Sequence, residues 1–285
     1  MKILITGANG MIAKELVLVL QTQNIPYHTL SRSTSDGTHH WDPTLMKIDP
    51  KCIQGVTHIV HLAGANVGDG IWTHARKKEI IHSRVKSTQL LLTLLQKHSH
   101  QVKKIIMTSA IGYYGISGSV LQDEGSNKGN TFLSDVWDRW EQFNDDFVKI
   151  NISVVTMRLG VVLHPKSGVY PNMLMPLRMY IAPQLGGGLQ WVSWVDYRDV
   201  IHAILFFINN HNTSGIYNIV TANNTWKELM QLISKKIHKR SWEIHIHKAI
   251  IKLVLGEQSD ILLHSTKVSN EKIINAGVEF KHINI

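Results

Sequence analysis

Two glycines three residues apart, Gly7 and Gly10, stand in Thr6-Gly-Ala-Asn-Gly-Met-Ile12. A short apolar run, Lys2 to Thr6, precedes them, and helical periodicity follows from Met11 to Gln23, with Ile12, Leu16, Val19 and Leu20 on one face. A backbone without side chains comes close to a pyrophosphate, and the helix start offers it unpaired N–H groups and the positive end of a dipole. Strand, glycine turn and helix in that order form the entry to a dinucleotide-binding unit. A second position sets which dinucleotide. NAD binders place an Asp or Glu at the end of the second strand, about 20 residues past the first glycine, to take the ribose hydroxyls. Here that end reads Leu30-Ser31-Arg32-Ser33, with no carboxylate before Asp36. A guanidinium beside a hydroxyl suits a 2′-phosphate through a charge-assisted bond, so the expected cofactor is NADP(H).

The histidines point to no metal. His58 and His61 are three apart in an apolar strand and fall on opposite faces. His245 and His247 are expected on one strand face, with no third ligand near them, and read as a surface pair. The eight tryptophans, Trp137/Trp140 and Trp191/Trp194 among them, suit core packing at least as well as the wall of a pocket.

Such residues need elements that bring strand ends together. Tyr27 to Leu30, Ile59 to Ala63 and Ile105 to Ser109 read as further strands. A helix from about Arg76 to Lys97 lies between the last two, offering Ile80, Val85, Leu91, Leu92 and Leu95 to a core. Another, over about Phe132 to Lys149, precedes a buried strand from Ile152 to Met157. This alternation predicts a parallel sheet with helices on both faces. After about residue 165 the pattern loosens at Pro165, Pro171, Pro176 and Pro183, and Leu185-Gly-Gly-Gly-Leu-Gln190 reads as a glycine-rich loop. Helix returns over Asp199 to Asn210 and strand over Ile216 to Val220, and Asn224 is expected to cap a helix running to about Lys236. A last helix, Asn270 to Ala276, ends at Gly277, a left-handed C-cap. The expected fold is α/β: a Rossmann-type doubly wound parallel sheet over residues 1–165, to which some later segments return, and a smaller α+β lobe over 166–285.

Composition narrows the class. A chain of 285 residues with 44% hydrophobic content can bury a large core. Its single cysteine, Cys52, excludes an internal disulfide framework and suits a reducing compartment. Met1 leads directly into the first strand, so no cleaved signal is expected, and the apolar runs fall well short of the ~20 residues of a membrane span. The expected location is cytoplasmic, as a monomer or homodimer with no membrane partner. The net charge of +9 is scattered, without zinc-finger spacing or an aromatic–basic RNA motif, so it reads as a pull on small anions rather than as a nucleic-acid surface.

Thr6-Gly-Ala-Asn-Gly-Met-Ile12 and His61-Leu-Ala-Gly-Ala65 together resemble the extended short-chain dehydrogenase/reductase superfamily. Trp41-Asp-Pro43, Ile71-Trp-Thr73, Ser83-Arg-Val85, Ser109-Ala-Ile-Gly-Tyr-Tyr-Gly115, Arg158-Leu-Gly-Val-Val-Leu163 and Gly187-Gly-Leu-Gln-Trp-Val-Ser-Trp194 narrow the resemblance. They point to an epimerase-like family whose C-terminal domain has no known function, and some of whose members are labelled cell-division inhibitor homologues. Leu255-Gly-Glu257, Leu262-Leu263 and Ala276-Gly277 are similar to its tail, so the likeness spans nearly the whole chain.

That resemblance implies Gly7, Asn9, Gly10, Met11 and Ile12 around the pyrophosphate, and Ser31 and Arg32 at the adenosine phosphate. It implies Leu62, Ala63 and Gly64 along the adenine-to-ribose stretch, Glu79 and Arg84 on the long helix facing the cofactor, and Val161 near the nicotinamide. Glu79, Arg84 and Thr88 also lie near one helical stripe. Active members of the superfamily pair a Ser or Thr with Tyr-x-x-x-Lys, whose lysine lowers the tyrosine pKa for proton exchange with the substrate. Ser109 stands where that serine is expected, but where the tyrosine should open a helix the chain reads Thr131-Phe-Leu-Ser-Asp-Val-Trp137. Either Tyr113 or Tyr114 substitutes, or a carboxylate such as Glu141, or there is little turnover. The leading functions are an NADP(H)-dependent epimerase/dehydratase-like oxidoreductase acting on an unidentified small, anionic substrate, and a non-catalytic NADP(H)-binding regulator linked to cell division. Nucleotide-sugar epimerisation, which needs a hydride taken and returned by one activated site, stands third.

Overall fold

The computed structural model describes residues 1–33, 37–237 and 240–284. The chain opens with β1 (Ile3–Thr6), α1 (Met11–Thr22) and β2 (Tyr27–Ser31), followed by β3 (His39–Asp42) and β4 (Lys47–Ile48). Next come β5 (His58–His61), α2 (His74–Lys97), β6 (Lys104–Ala110) and β7 (Leu121–Gln122), then α3 (Phe132–Glu141), α4 (Phe143–Lys149) and β8 (Ser153–Leu159). The second half holds β9 (Val161–Leu163), α5 (Tyr170–Arg178), β10 (Ile181–Leu185), β11 (Trp191–Asp196), α6 (Tyr197–Asn209) and β12 (Gly215–Ile219). It ends with β13 (Ala222–Thr225), α7 (Trp226–Ile237), β14 (Trp242–Ile246), α8 (Lys248–Leu255), α9 (Asp260–Leu263), β15 (Lys267–Val268) and α10 (Glu271–Asn275).

Eight strands make one sheet in the order β12-β8-β6-β5-β1-β2-β3-β4, parallel except for the β3–β4 pair. Alternate residues of its strands feed two apolar layers. Leu4, Ile59, Ile105 and Met107 pack on one face with Ile80, Leu91, Trp137 and Phe147 of α2, α3 and α4. Ile3, Ile5, Val60 and Ile106 pack on the other with Leu16 and Leu20 of α1 and Ile204 and Phe207 of α6. A Rossmann-type α/β fold is what the alternating pattern predicts. Between β5 and β2, both neighbours of β1, the strand order reverses, and the loops leaving β1 and β5 lie side by side at that switch point, where a ligand crevice is expected in this architecture.

The smaller lobe gathers β9-β11-β13, the parallel pair β10–β14 and helices α5 and α7 around Leu177, Trp194, Leu229 and Ile233. The chain does not stay there. α6 packs under the main sheet, β12 forms its edge, and Ile273 and Val278 of the tail join the same apolar layer. Among the described residues no helix is long and apolar enough to cross a membrane.

Several expectations need correction. The helix expected over 132–149 is interrupted at Gln142, and nothing in the sequence marks that break. β3 and β4 are additional strands; of His39–Asp42 only Trp41 is buried, so the segment carries no periodic signal. Asn224 caps no helix. It lies on β13, where its Oδ1 accepts from Trp194 Nε1, and Thr225 instead exchanges bonds with Glu228 at the start of α7. His245 and His247 do not share a strand face, because β14 ends at Ile246 and His247 caps α8.

Candidate functional site

The crevice is built from backbone. Gly7 has φ +71°, and a Cβ there would come within 3.1 Å of the Ala63 backbone and of Leu62 C, so only glycine lets the β1 and β5 loops meet. Gly10 N donates to Gly7 O (2.8 Å), and Gly10 begins α1 without a side-chain cap. Asn9 and Gly10 are exposed and Met11 and Ile12 half-buried, so the first turn of α1 faces an open space. Leu62, Ala63 and exposed Gly64 line its other side.

Thr6, which the sequence reading passed over, staples the two loops. Its Oγ1 accepts from Leu62 N and Ala63 N, both at 3.0 Å, and lies 2.7 Å from His61 Nδ1. His61 Nε2 lies 2.9 Å from Thr88 Oγ1, which also accepts from Trp140 Nε1 and donates to Arg84 O. One tautomer satisfies the whole chain: Thr6 donates to Nδ1 and Nε2–H donates to Thr88. Complete burial, aided by the Arg84 charge, pushes the imidazole pKa down to about 3 and keeps it neutral.

At the end of β2, Ser31 is buried and its Oγ accepts from Ser33 N, while Arg32 is exposed. Asp36 lies outside the described residues. Arg84 is different: it is 6% exposed, and no carboxylate pairs with it among the described residues. Its Nη1 donates to Ile80 O, and its guanidinium stacks 4.6 Å from the Trp137 ring and 5.5 Å from that of Trp140. A Cβ on Gly64 would come 2.9 Å from its Cζ, so the group lies directly behind the crevice wall. Burial, with the neighbouring Arg76, lowers its pKa to about 10. Glu79 stands apart from this stripe, exposed and paired with Arg76 at 2.7 Å. Val161 is half-buried at the start of β9, and the chain beyond it returns to α1, where His164 Nε2 lies 3.2 Å from Glu15.

Three of the four candidate catalytic residues, Tyr113, Tyr114 and Glu141, meet on Arg158 of β8, to which the sequence reading gave no role, and Ser109 joins them through Glu141. Its Nε and Nη2 hold the two oxygens of Glu141 at 3.0 and 2.7 Å. Its Nη1 donates to Tyr114 Oη (2.9 Å), and its Cζ lies 3.5 Å from the centre of the Tyr113 ring. Ser109 Oγ donates to Glu141 Oε1 at 2.5 Å, and Tyr114 Oη donates to Asn218 Oδ1. Burial opposes charge on Arg158, but Glu141 outweighs it and raises the pKa above the usual value. Tyr114 is pushed up to about 12 by burial. In the sequence Arg158 is marked only as the first residue of Arg158-Leu-Gly-Val-Val-Leu163 and as a lone cation inside the apolar run Ser153–Leu159, and neither shows its partners. Ser109, Tyr114 and Glu141 are buried, and Tyr113 is only partly so. At the spacing of the superfamily's Tyr and Lys stand Leu133 and Trp137, both packed in the α2/α3 layer.

The profile of the NAD dependent epimerase/dehydratase family matches residues 3–220. An epimerase family protein of Staphylococcus haemolyticus is 30% identical over 292 residues, spanning 99% of this chain and 95% of its own. A human epimerase family protein solved with NADPH is 26% identical and superposes with a TM-score of 0.89, over 100% of this chain and 96% of that one. A UDP-glucose 4-epimerase of Thermotoga maritima, 18% identical with a TM-score of 0.78 over 99% of this chain and 94% of its own, shares the fold. By this family match and by its curated relatives, the chain belongs to the NAD dependent epimerase/dehydratase family.

Proposed function

We propose that the chain binds NADP(H) in the crevice and exchanges hydride with a small, anionic carbonyl or alcohol substrate. The observation that carries this reading is the backbone cradle of Gly7, Gly10 and Leu62–Gly64, with Ser31 and Arg32 at the end of β2 in place of an acidic residue. The human relative solved with NADPH supports the phosphorylated cofactor. Asn9, Met11 and Ile12 would surround the pyrophosphate. Arg84, a buried cation without a carboxylate, would lend its charge to the cofactor from behind Gly64, and Val161 would lie near the nicotinamide; Glu79, already paired with Arg76, would lie at the rim. The nicotinamide, when bound, supplies or takes the hydride.

The proton has fewer candidates. Glu141 is clamped by Arg158 and Ser109, and Tyr114 is held between Arg158 and Asn218, so neither is placed to exchange a proton with a ligand. Tyr113, half-buried with its ring on the Arg158 guanidinium, is the phenol we assign to that step, with Ser109, Tyr114 and Glu141 fixing its position through Arg158. Tyr113→Phe should lower NADPH oxidation on a carbonyl panel by ~10²–10⁴-fold, the range of a positioned acid, with NADPH affinity kept. Undiminished turnover in that variant would remove Tyr113 from the role.

A second reading rests on one observation. Leu133 and Trp137 fill the expected dyad positions with packed apolar groups, and Arg84 stacks on Trp137. A cytoplasmic NADP(H)-binding regulator, its tail related to the cell-division-inhibitor type, would need no proton donor. Silence across the panel with tight NADPH binding intact would favour it.

A further inference from the structure

Between the glycine-rich loop and the tail lies a second opening, a cleft of about 360 Å³, within the ~300–1,000 Å³ of small-molecule sites. Its walls join the two halves of the chain. Gln190 Nε2 donates to Leu185 O (3.0 Å) and Leu262 O (3.2 Å), spanning from one wall to the other. Ser265 O accepts from Ser117 N and Gly118 N, which ties the tail to the loop following the tyrosine pair. Ile116, Leu189 and Leu263 give apolar surface, and Lys248 and Lys252 enter from one side of α8, four residues apart.

The charges are unevenly matched. Neither Lys248 nor Lys252 forms an ion pair among the described residues. The cleft's one carboxylate, Asp260, is taken up by His264, whose Nε2 lies 3.8 Å from it. Two exposed ammonium groups without an ion pair, at an apolar wall whose single carboxylate is already engaged by His264, leave room for an oxyanion. Ile116 is three residues beyond Tyr113, so the cleft begins at most ~11 Å of chain from the proposed proton donor.

We propose that this cleft is the anion subsite of the substrate, in which Lys248 and Lys252 hold a carboxylate or phosphate ester while the apolar wall covers the carbon chain. This rests on the reading of the chain as an oxidoreductase and adds where the substrate's charge is bound.

The test is calorimetric titration of the full-length protein with inorganic phosphate and with succinate at constant ionic strength. It is run without NADPH and with NADPH saturating, so that the glycine turn is filled in one arm. Lys248→Gln/Lys252→Gln is compared with Lys235→Gln/Lys236→Gln, which removes the same charge from exposed positions on α7. Saturable binding of at least one anion, weakened about tenfold or more by the first pair and unchanged by the second, is expected. Binding of phosphate alone would assign a phosphate ester, and binding of succinate a carboxylate. No saturable binding, or equal weakening by both pairs, would overturn the proposal. Failure of NADPH to bind would count against the cofactor reading instead, and the comparison of the two variants without NADPH would stand.

Discussion

Arg158 accounts for the largest gap between sequence and site at the scale of single residues. Ser109, Tyr113, Tyr114 and Glu141 were each legible as candidates, but Arg158, which binds Tyr113, Tyr114 and Glu141 directly and Ser109 only through Glu141, was legible as a motif residue in a buried strand and not as their hub. A buried pair is costly to break from one side, because the remaining charge is left without its partner. Glu141→Gln should therefore destabilise the fold by ~3–5 kcal/mol in urea titrations, and Glu141→Met with Arg158→Met should recover part of that loss. A loss below ~1 kcal/mol for Glu141→Gln would mean that water reaches the pair. Two of the buried histidines, His58 and His61, give a pH signature. Burial, with nearby Lys104 for His58 and Arg84 for His61, lowers their pKa values from 6.5 to about 4 and about 3. Both are neutral in the folded chain where the unfolded chain begins to protonate, so the unfolded state holds more protons below pH 6.5. Stability is then complete above that pH and falls as pH drops toward 4, by up to ~1.4 kcal/mol per pH unit for each histidine. Denaturation series at several pH values should show this slope, and His61→Asn should reduce it by up to ~1.4 kcal/mol per pH unit.

Elements were more legible than their contacts. Strand, glycine turn and helix at the start of the chain, and the alternation through β8, follow from local periodicity, which registers burial on one face. Short polar strands such as β3 and the break at Gln142 leave no such trace. Contacts between distant segments leave none either, and one of them bears on the crevice. In the turn between α8 and α9, Glu257 pairs with Lys77 of α2, and Gln258 Nε2 donates to Gly68 O at 2.9 Å. Ile261 packs against the layer that contains Trp72. The loop from residue 62 to 73, which supplies Leu62–Gly64 to the crevice, is thus latched by the tail. Glu257→Gln with Gln258→Ala should raise the NADPH dissociation rate by about 2–5-fold, matching contacts of ~0.5–1 kcal/mol, with little change in melting temperature. Stopped-flow displacement reads it. An unchanged rate would show that the loop holds its place without the tail.

For the whole molecule, the decisive feature is a chain that crosses repeatedly between the main sheet and the smaller lobe. Asp199 of α6 accepts from Lys281 N and His282 N, so even the last described residues are fastened beneath the sheet. A boundary drawn near residue 165 marks where the pattern changes, while α6, β12 and α10 belong physically to the first body. The net charge of +9 adds a general attraction for anionic ligands, but it does not distinguish one dinucleotide from another. On the proposed reading that distinction falls to Ser31 and Arg32, which makes cofactor choice the most direct test. Calorimetric titration of the wild-type chain and Arg32→Ala with NADPH and NADH should show NADPH bound about 10–100-fold more tightly by the wild type. Arg32→Ala should remove most of that difference and leave NADH nearly unaffected. Equal affinities for the two cofactors in the wild-type chain would contradict it.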